Sequence, residues 1–201
     1  MRAELSVESG SESGTGLSIR QIGSDDWESI AELESQAYAA LGLSEQRDAL
    51  ESRAEASPGT CFVLAGPAQR PAVAGYLLAL PYPRFRYPGL GEPEQTAFAV
   101  DNLHLHDLVV ARELRRRGLA GRLLGHLEAV ARTQRRRHLS LVAVAGSDGF
   151  WSRHGFAPQP GVAAPLHYGP GAVYMSKPLG TSQPLGDAPG GTPSQHCPEG
   201  D

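Results

Sequence analysis

A chain of 201 residues is long enough for one well-buried domain and too short for two full ones. With 18 basic against 22 acidic residues and a net charge of −4, it has no overall basic signature, so nucleic acid is not a default partner. Cys61 and Cys197 suggest no disulfide framework and fit a cytoplasmic setting, and the chain contains neither a signal-peptide core nor a run long enough to span a membrane.

Residues 1–16 and 180–201 are rich in Gly, Ser and Pro and poor in the apolar side chains that offset ordering entropy. Both are expected to be disordered extensions around one domain over 17–179. Ser24, Asp25 and Asp26 are expected to cap a first helix whose apolar positions Trp27, Ile30, Leu33, Ala37 and Leu41 share one face. A second helical stretch is expected from Ser44 to Ala54. Cys61–Ala65 and Val73–Leu80 are apolar runs bounded by Gly and Pro, which read as paired strands. The connection from Pro81 to Val100 is long, and such loops are usually functional or mobile. Its aromatic residues Tyr82, Phe85 and Tyr87 have two readings, as the lining of an apolar pocket or as rings folded against the core.

Leu103 to Val110 alternates and ends apolar, which predicts a strand with His104 and His106 on one face and Asp107 on the other. From Gly118 onward, Leu119, Ala120, Leu123, Leu124, Leu127 and Val130 are spaced as on a helix. A helix N-terminus offers unpaired N–H groups and a partial positive charge, so it binds phosphate oxygens. Gly118, Ala120 and Gly121 leave the backbone open there, and Arg115, Arg116 and Arg117 add cations. Neither a dinucleotide-binding glycine pattern nor a P-loop is present. Arg132, Arg135, Arg136 and Arg137 oppose the dipole at the far end of this helix, a structural role that needs no ligand. Leu139–Val144 reads as a strand and Ala172–Met175 as a last strand.

The pattern Arg115-x-x-Gly118-x-Ala120 resembles the phosphate-binding signature of the GNAT (GCN5-related) N-acetyltransferase superfamily, and the resemblance runs from about Leu17 to Leu179. Phe150–Phe156 is similar to the family's short helix with its closing Gly-Phe. In detail the chain is similar to arylalkylamine-type acetyltransferases and to uncharacterised bacterial relatives. This implies an α/β (α+β) fold, a mixed and twisted sheet flanked by helices. It also implies acetyl-CoA as co-substrate, its pyrophosphate over Arg115, Arg116, Arg117, Gly118, Leu119, Ala120 and Gly121. Leu108, Val109 and Val110 would pair with the pantetheine arm and supply a backbone N–H to the developing oxyanion. An H-x-H pair on the same strand relays the amine proton in the arylalkylamine-type enzymes, which makes His104 and His106 candidates for base and relay. An alkylammonium near pKa 10.4 must lose its proton before attack, and imidazole near 6.5 takes it at neutral pH.

One departure stands out. The family usually has a tyrosine ahead of the Gly-Phe as proton donor to the thiolate, and this chain has Trp151. Protonation would then fall to water, Tyr168 or Tyr174. Zinc on the H-x-H pair needs further ligands, and His126, His138 and His154 form no supporting pattern, so no metal is expected. The implied activity is acetyl transfer to a primary amine of a small molecule or peptide, in a monomer or homodimer; on the pocket reading of the long connection, Glu92 or Glu94 would draw in the cation. Two alternatives stand beside it: a protein N-terminal or lysine acetyltransferase of the same fold, and a non-catalytic acyl-CoA-binding module.

Overall fold

The computed structural model describes residues 16–66, 73–94, 98–163 and 166–180. Strands β1 (Ser18–Gln21), β2 (Phe62–Ala65), β3 (Val73–Pro81), β4 (Asn102–Val110), β5 (His138–Ala143), β6 (Ala157–Pro158) and β7 (Val173–Pro178) form one seven-stranded sheet in the order β1-β2-β3-β4-β5-β7-β6. Among the described residues four α-helices accompany it: α1 (Trp27–Tyr38), α2 (Arg47–Ala56), α3 (Leu119–Thr133) and α4 (Asp148–Arg153). Among the described strands only β4 and β5 pair in parallel, because α3 provides the long crossover that parallel neighbours require. The sheet is therefore mixed and flanked by helices.

Alternation along the strands gives the sheet two buried faces. Phe62, Leu64, Leu103 and Leu105 meet Leu119, Leu123, Leu124 and Leu127 of α3 on one side. Cys61, Val63, Tyr76 and Leu78 meet Trp27, Ile30, Leu33 and Leu50 of α1 and α2 on the other. Gly75 is required where β3 crosses β4, since a Cβ there would lie 2.7 Å from the Val109 carbonyl oxygen. Among the described residues no helix is long and apolar enough to cross a membrane.

Several local expectations shift. Residues 24–26 form a 3₁₀ turn, and Asp26 alone caps it, accepting the Gly23 N–H at 2.7 Å while pairing with Arg20. Leu41 lies beyond α1, 47% exposed, because the helix tightens into a 3₁₀ turn after Tyr38. The second helix starts at Arg47 rather than Ser44, because Ser44 and Glu45 bond instead to the carboxylate of Glu34. The short strands β1 and β6 carry no clear period and were not expected. The extensions expected to be disordered, along with Cys197, fall outside the described residues apart from Gly16 and Gly180.

The most consequential irregularity lies in β4. Leu78 of β3 pairs with Asp107 and Ala79 with Leu105, so His106 is an extra residue in a β-bulge. The bulge reverses the alternation: Leu103, Leu105, Leu108 and Val110 face α3, while Val109 and Ala111 face α1 and α2. Asp107, expected on the opposite face from the histidines, is brought by this inversion to the α1/α2 side, where it accepts a hydrogen bond from Tyr76.

Candidate active site

β4 and β5 pair only at Asn102 with His138, Leu103 with Leu139 and His104 with Ser140. Beyond these positions the strands separate, and a cavity of about 650 Å³ lies between and around them. Its wall includes Leu108, Val109 and Val110 of β4, Leu141 and Val142 of β5, and the first turn of α3.

At that helix end Gly118 caps α3 with φ 75°, a left-handed conformation natural to glycine. Nothing lies within 4 Å of where its Cβ would be, so the backbone is open. Arg115, Arg116, Gly118, Leu119, Ala120 and Gly121 all line the cavity, whereas Arg117 is exposed and outside its wall. Arg115 is partly committed, its Nε donating to the Val110 carbonyl at 3.0 Å.

The opposite end is charged and buried. His106 Nε2 lies 2.5 Å from Glu45 Oε2, and the two side chains are 2% and 3% exposed. Glu45 Oε1 accepts from Arg53 Nη2 and from the Gly91 N–H, each at 2.7 Å. Burial opposes the Glu45 charge, but His106, Arg53 and the Gly91 N–H outweigh it and bring the carboxyl down to about 2. An ionised Glu45 favours a proton on Nε2 and leaves Nδ1 of the neutral ring as the acceptor. That Nδ1 is buried and has no hydrogen-bond partner among the described residues.

Two further carboxylates, Glu34 and Asp107, line the same end. Burial raises both, with smaller contributions from neighbouring carboxylates. Tyr38, also in the wall, and Tyr76 behind it are held well above the ordinary phenol range by burial and by Asp107. No group of three or more His, Cys, Asp or Glu among the described residues is arranged to hold a metal ion.

His104 is placed differently from His106. It is buried outside the cavity wall, with Nδ1 3.1 Å from Ser140 Oγ and its ring stacked on Tyr174. Burial, then the charges of His106 and Arg53, lower it well below the usual imidazole range. Trp151 lines the cavity and packs edge-on against Phe150 and Phe156. Of the two tyrosines considered as proton donors, Tyr168 lines the cavity and Tyr174 does not; the Tyr174 hydroxyl accepts the Phe85 N–H.

In the described part of the long connection before β4, Tyr82 and Tyr87 fold against neighbouring rings, while Phe85 is 47% exposed. Tyr82 packs against Phe98 and His104, and Tyr87 against Tyr168 and Tyr174, while neither these rings nor Phe85 enter the wall. Leu90 does line the cavity, but Glu92 and Glu94 do not. The acidic residues at the cavity are Glu34, Glu45 and Asp107. Glu34 and Arg53 had a sequence signal, since each puts a charge where a helix face is otherwise apolar. Glu45 had none.

Residues 27–156 match the family model for the acetyltransferase (GNAT) family. A search of curated proteins finds no match. Solved structures with a similar fold include Ard1 from Thermoplasma volcanium, with TM-score 0.62 and 16% identity, the match covering 82% of this chain and 98% of that one. The ribosomal-protein-S18-alanine N-acetyltransferase from Escherichia coli aligns with TM-score 0.57 and 16% identity, over 86% of this chain and 99% of that one. N-acetylglutamate synthase from Neisseria gonorrhoeae, complexed with coenzyme A and N-acetyl-glutamate, aligns with TM-score 0.59 and 18% identity; 82% of this chain matches 35% of that one. With the family model covering well over half of its length, the chain belongs to the acetyltransferase (GNAT) family.

Proposed function

We propose that the protein transfers an acetyl group from acetyl-CoA to a primary amine by direct attack, with His106 as the proton acceptor. The observation that carries this reading is a single cavity joining the open, Gly118-capped end of α3 to the buried Glu45–His106 pair. Acetyl-CoA suits the cavity on two counts. The first turn of α3 offers backbone N–H groups beside Arg115 and Arg116 for phosphates, and β4 beyond His104 has an edge that β5 leaves unpaired for an extended arm. When bound, acetyl-CoA supplies a thioester activated toward nitrogen.

The chain's own residues supply the rest. Glu45 stays ionised and fixes the His106 ring, which takes the amine proton at Nδ1. Glu34, Glu45 and Asp107 give the acceptor end a negative potential that draws an ammonium group from water. Tyr38 and Tyr168 both line the cavity wall; burial keeps the proton on Tyr168, so it can offer the leaving sulfur an O–H in place of Trp151. Among the described residues the wall contains no cysteine, in keeping with direct attack rather than an acyl-enzyme.

The same electrostatics favour a simple amine over an amino acid. Arg53, the arginine paired with Glu45, has both of its terminal nitrogens committed to protein acceptors. An α-carboxylate would meet like charge there. Thiol release from acetyl-CoA with a panel of simple amines, amino acids and short peptides tests the reading. Release with amines lacking a carboxylate is expected. Tight acetyl-CoA binding with no release across the panel would favour the binding-module alternative and overturn the proposal.

A further inference from the structure

Residues 88–94, in the long connection before β4, are held in place by polar anchors rather than by a strand. The Tyr168 hydroxyl donates to the Pro88 carbonyl at 2.8 Å, the Glu94 N–H donates to Ser52 Oγ at 2.8 Å, and Leu90 between them lines the cavity. At the centre is Arg53 of α2, fully buried. Its Nη2 donates to the Gly89 carbonyl at 2.8 Å and to Glu45 Oε1 at 2.7 Å, and its Nη1 to the Ala49 carbonyl at 2.8 Å. Glu45 Oε1 also accepts the Gly91 N–H, while Oε2 meets His106 Nε2. One carboxylate thus serves the loop with one oxygen and the imidazole with the other.

A carboxylate is planar and rigid, so its oxygens do not move independently. Turning Glu45 to follow a displaced Gly91 swings Oε2 away from the imidazole. The guanidinium resists that rotation, because its Nη2 holds both Glu45 and Gly89 while its Nη1 is tied to the Ala49 carbonyl of α2. We infer that Arg53 is a positioning residue that couples the seating of residues 89–91 beside the acceptor end to the orientation of His106, through the two oxygens of Glu45. The inference rests on reading His106 as the proton acceptor. It makes Leu90 a size filter: an acceptor bulky enough to push Leu90 outward also disturbs the base, so it loses turnover as well as affinity.

Two variants test the coupling from opposite ends. Arg53→Lys keeps the buried positive charge but replaces the fork with a point donor. Leu90→Ala leaves both buried charges in place, so it retains the fold, and it loosens the loop. In the free protein, labelled with ¹⁵N-histidine, the Nε2–H resonance of His106 is followed alongside the hydrogen-exchange protection of the Gly91 amide. In both variants the resonance is expected to move or broaden, and Gly91 protection to fall at least tenfold. With a compact amine, Arg53→Lys is expected to lower kcat at least tenfold, with the KM for acetyl-CoA within twofold of wild type. An unchanged His106 resonance in Leu90→Ala despite lost Gly91 protection would overturn the inference, as would an Arg53→Lys variant that keeps wild-type kcat for the compact amine or whose KM for acetyl-CoA rises as much as its kcat falls. The spectroscopic signals come from the free protein, so failure of the coupling is distinguishable from failure to transfer acetyl.

Discussion

His106 and Asp107 are consecutive residues whose side chains lie on the same side of β4, one meeting Glu45 and the other Tyr76. In a regular strand they would point apart. The bulge at His106 instead concentrates an imidazole and a second carboxylate at the buried, charged end of the cavity. A third carboxylate, Glu34, approaches from α1.

The two histidines are predicted to behave differently. His106→Gln removes the proposed base from the cavity wall, and turnover should fall by about 10²- to 10⁴-fold. His104→Gln disturbs a buried contact with Ser140 outside the wall, so it should cost stability, about 1–3 kcal/mol, with a smaller loss of turnover. Steady-state kinetics and chemical denaturation on both variants check this. Equal turnover losses at unchanged stability would restore His104 to a direct part in proton transfer.

Acid stability should carry the signature of Glu45. Its carboxyl is depressed to about 2 in the folded protein, so the stability it contributes is present above its unfolded value near 4.5 and lost as pH falls toward 2. The size of that contribution is about 3 kcal/mol. His104, also depressed, adds a loss that begins as pH falls below the ordinary imidazole value. Glu34 and Asp107, raised by burial, act in the opposite sense, their contribution fading as pH rises through their folded values. Denaturation midpoints between pH 7 and 3 should therefore fall less steeply for Glu45→Gln than for wild type. A parallel slope would show that the Glu45 charge is not held by its neighbours.

At Gly118 backbone strain and ligand binding separate. The Cβ of Gly118→Ala would meet nothing within 4 Å, so its cost is the left-handed conformation alone, about 1–2 kcal/mol. Gly118→Asn tolerates that conformation and should be nearly as stable as wild type. Gly118→Asp adds a carboxylate at the proposed phosphate site, and calorimetric titration should show acetyl-CoA affinity reduced by about tenfold or more. Unaltered affinity in Gly118→Asp would place the phosphates elsewhere.

Trp151 and Tyr168 share the cavity wall, but of the two only the phenol carries an O–H that can be offered to the leaving sulfur. Trp151→Phe is expected to keep turnover within about fivefold of wild type. Tyr168→Phe should slow turnover further, by about 10- to 100-fold, partly through the lost bond to Pro88. A collapse of activity in Trp151→Phe, with acetyl-CoA binding intact, would give the indole N–H a role in the reaction.

The sequence alone determined what short spacing encodes. The strand–turn–helix around Arg115 to Gly121, the apolar face of α3 and the family follow from residues within a few turns of one another, where periodicity and backbone chemistry act directly. Tertiary structure decided the charged end of the cavity. Glu45 lies 61 positions from His106 and had no local signal, since a glutamate between two helices resembles any solvated charge until its burial is known. The bulge that redirects Asp107 depends on β3 as well as β4, and the cavity depends on where β5 stops following β4. Such pairings of buried charge are set by long-range packing, which fixes the local dielectric and partners and hence which groups hold a proton.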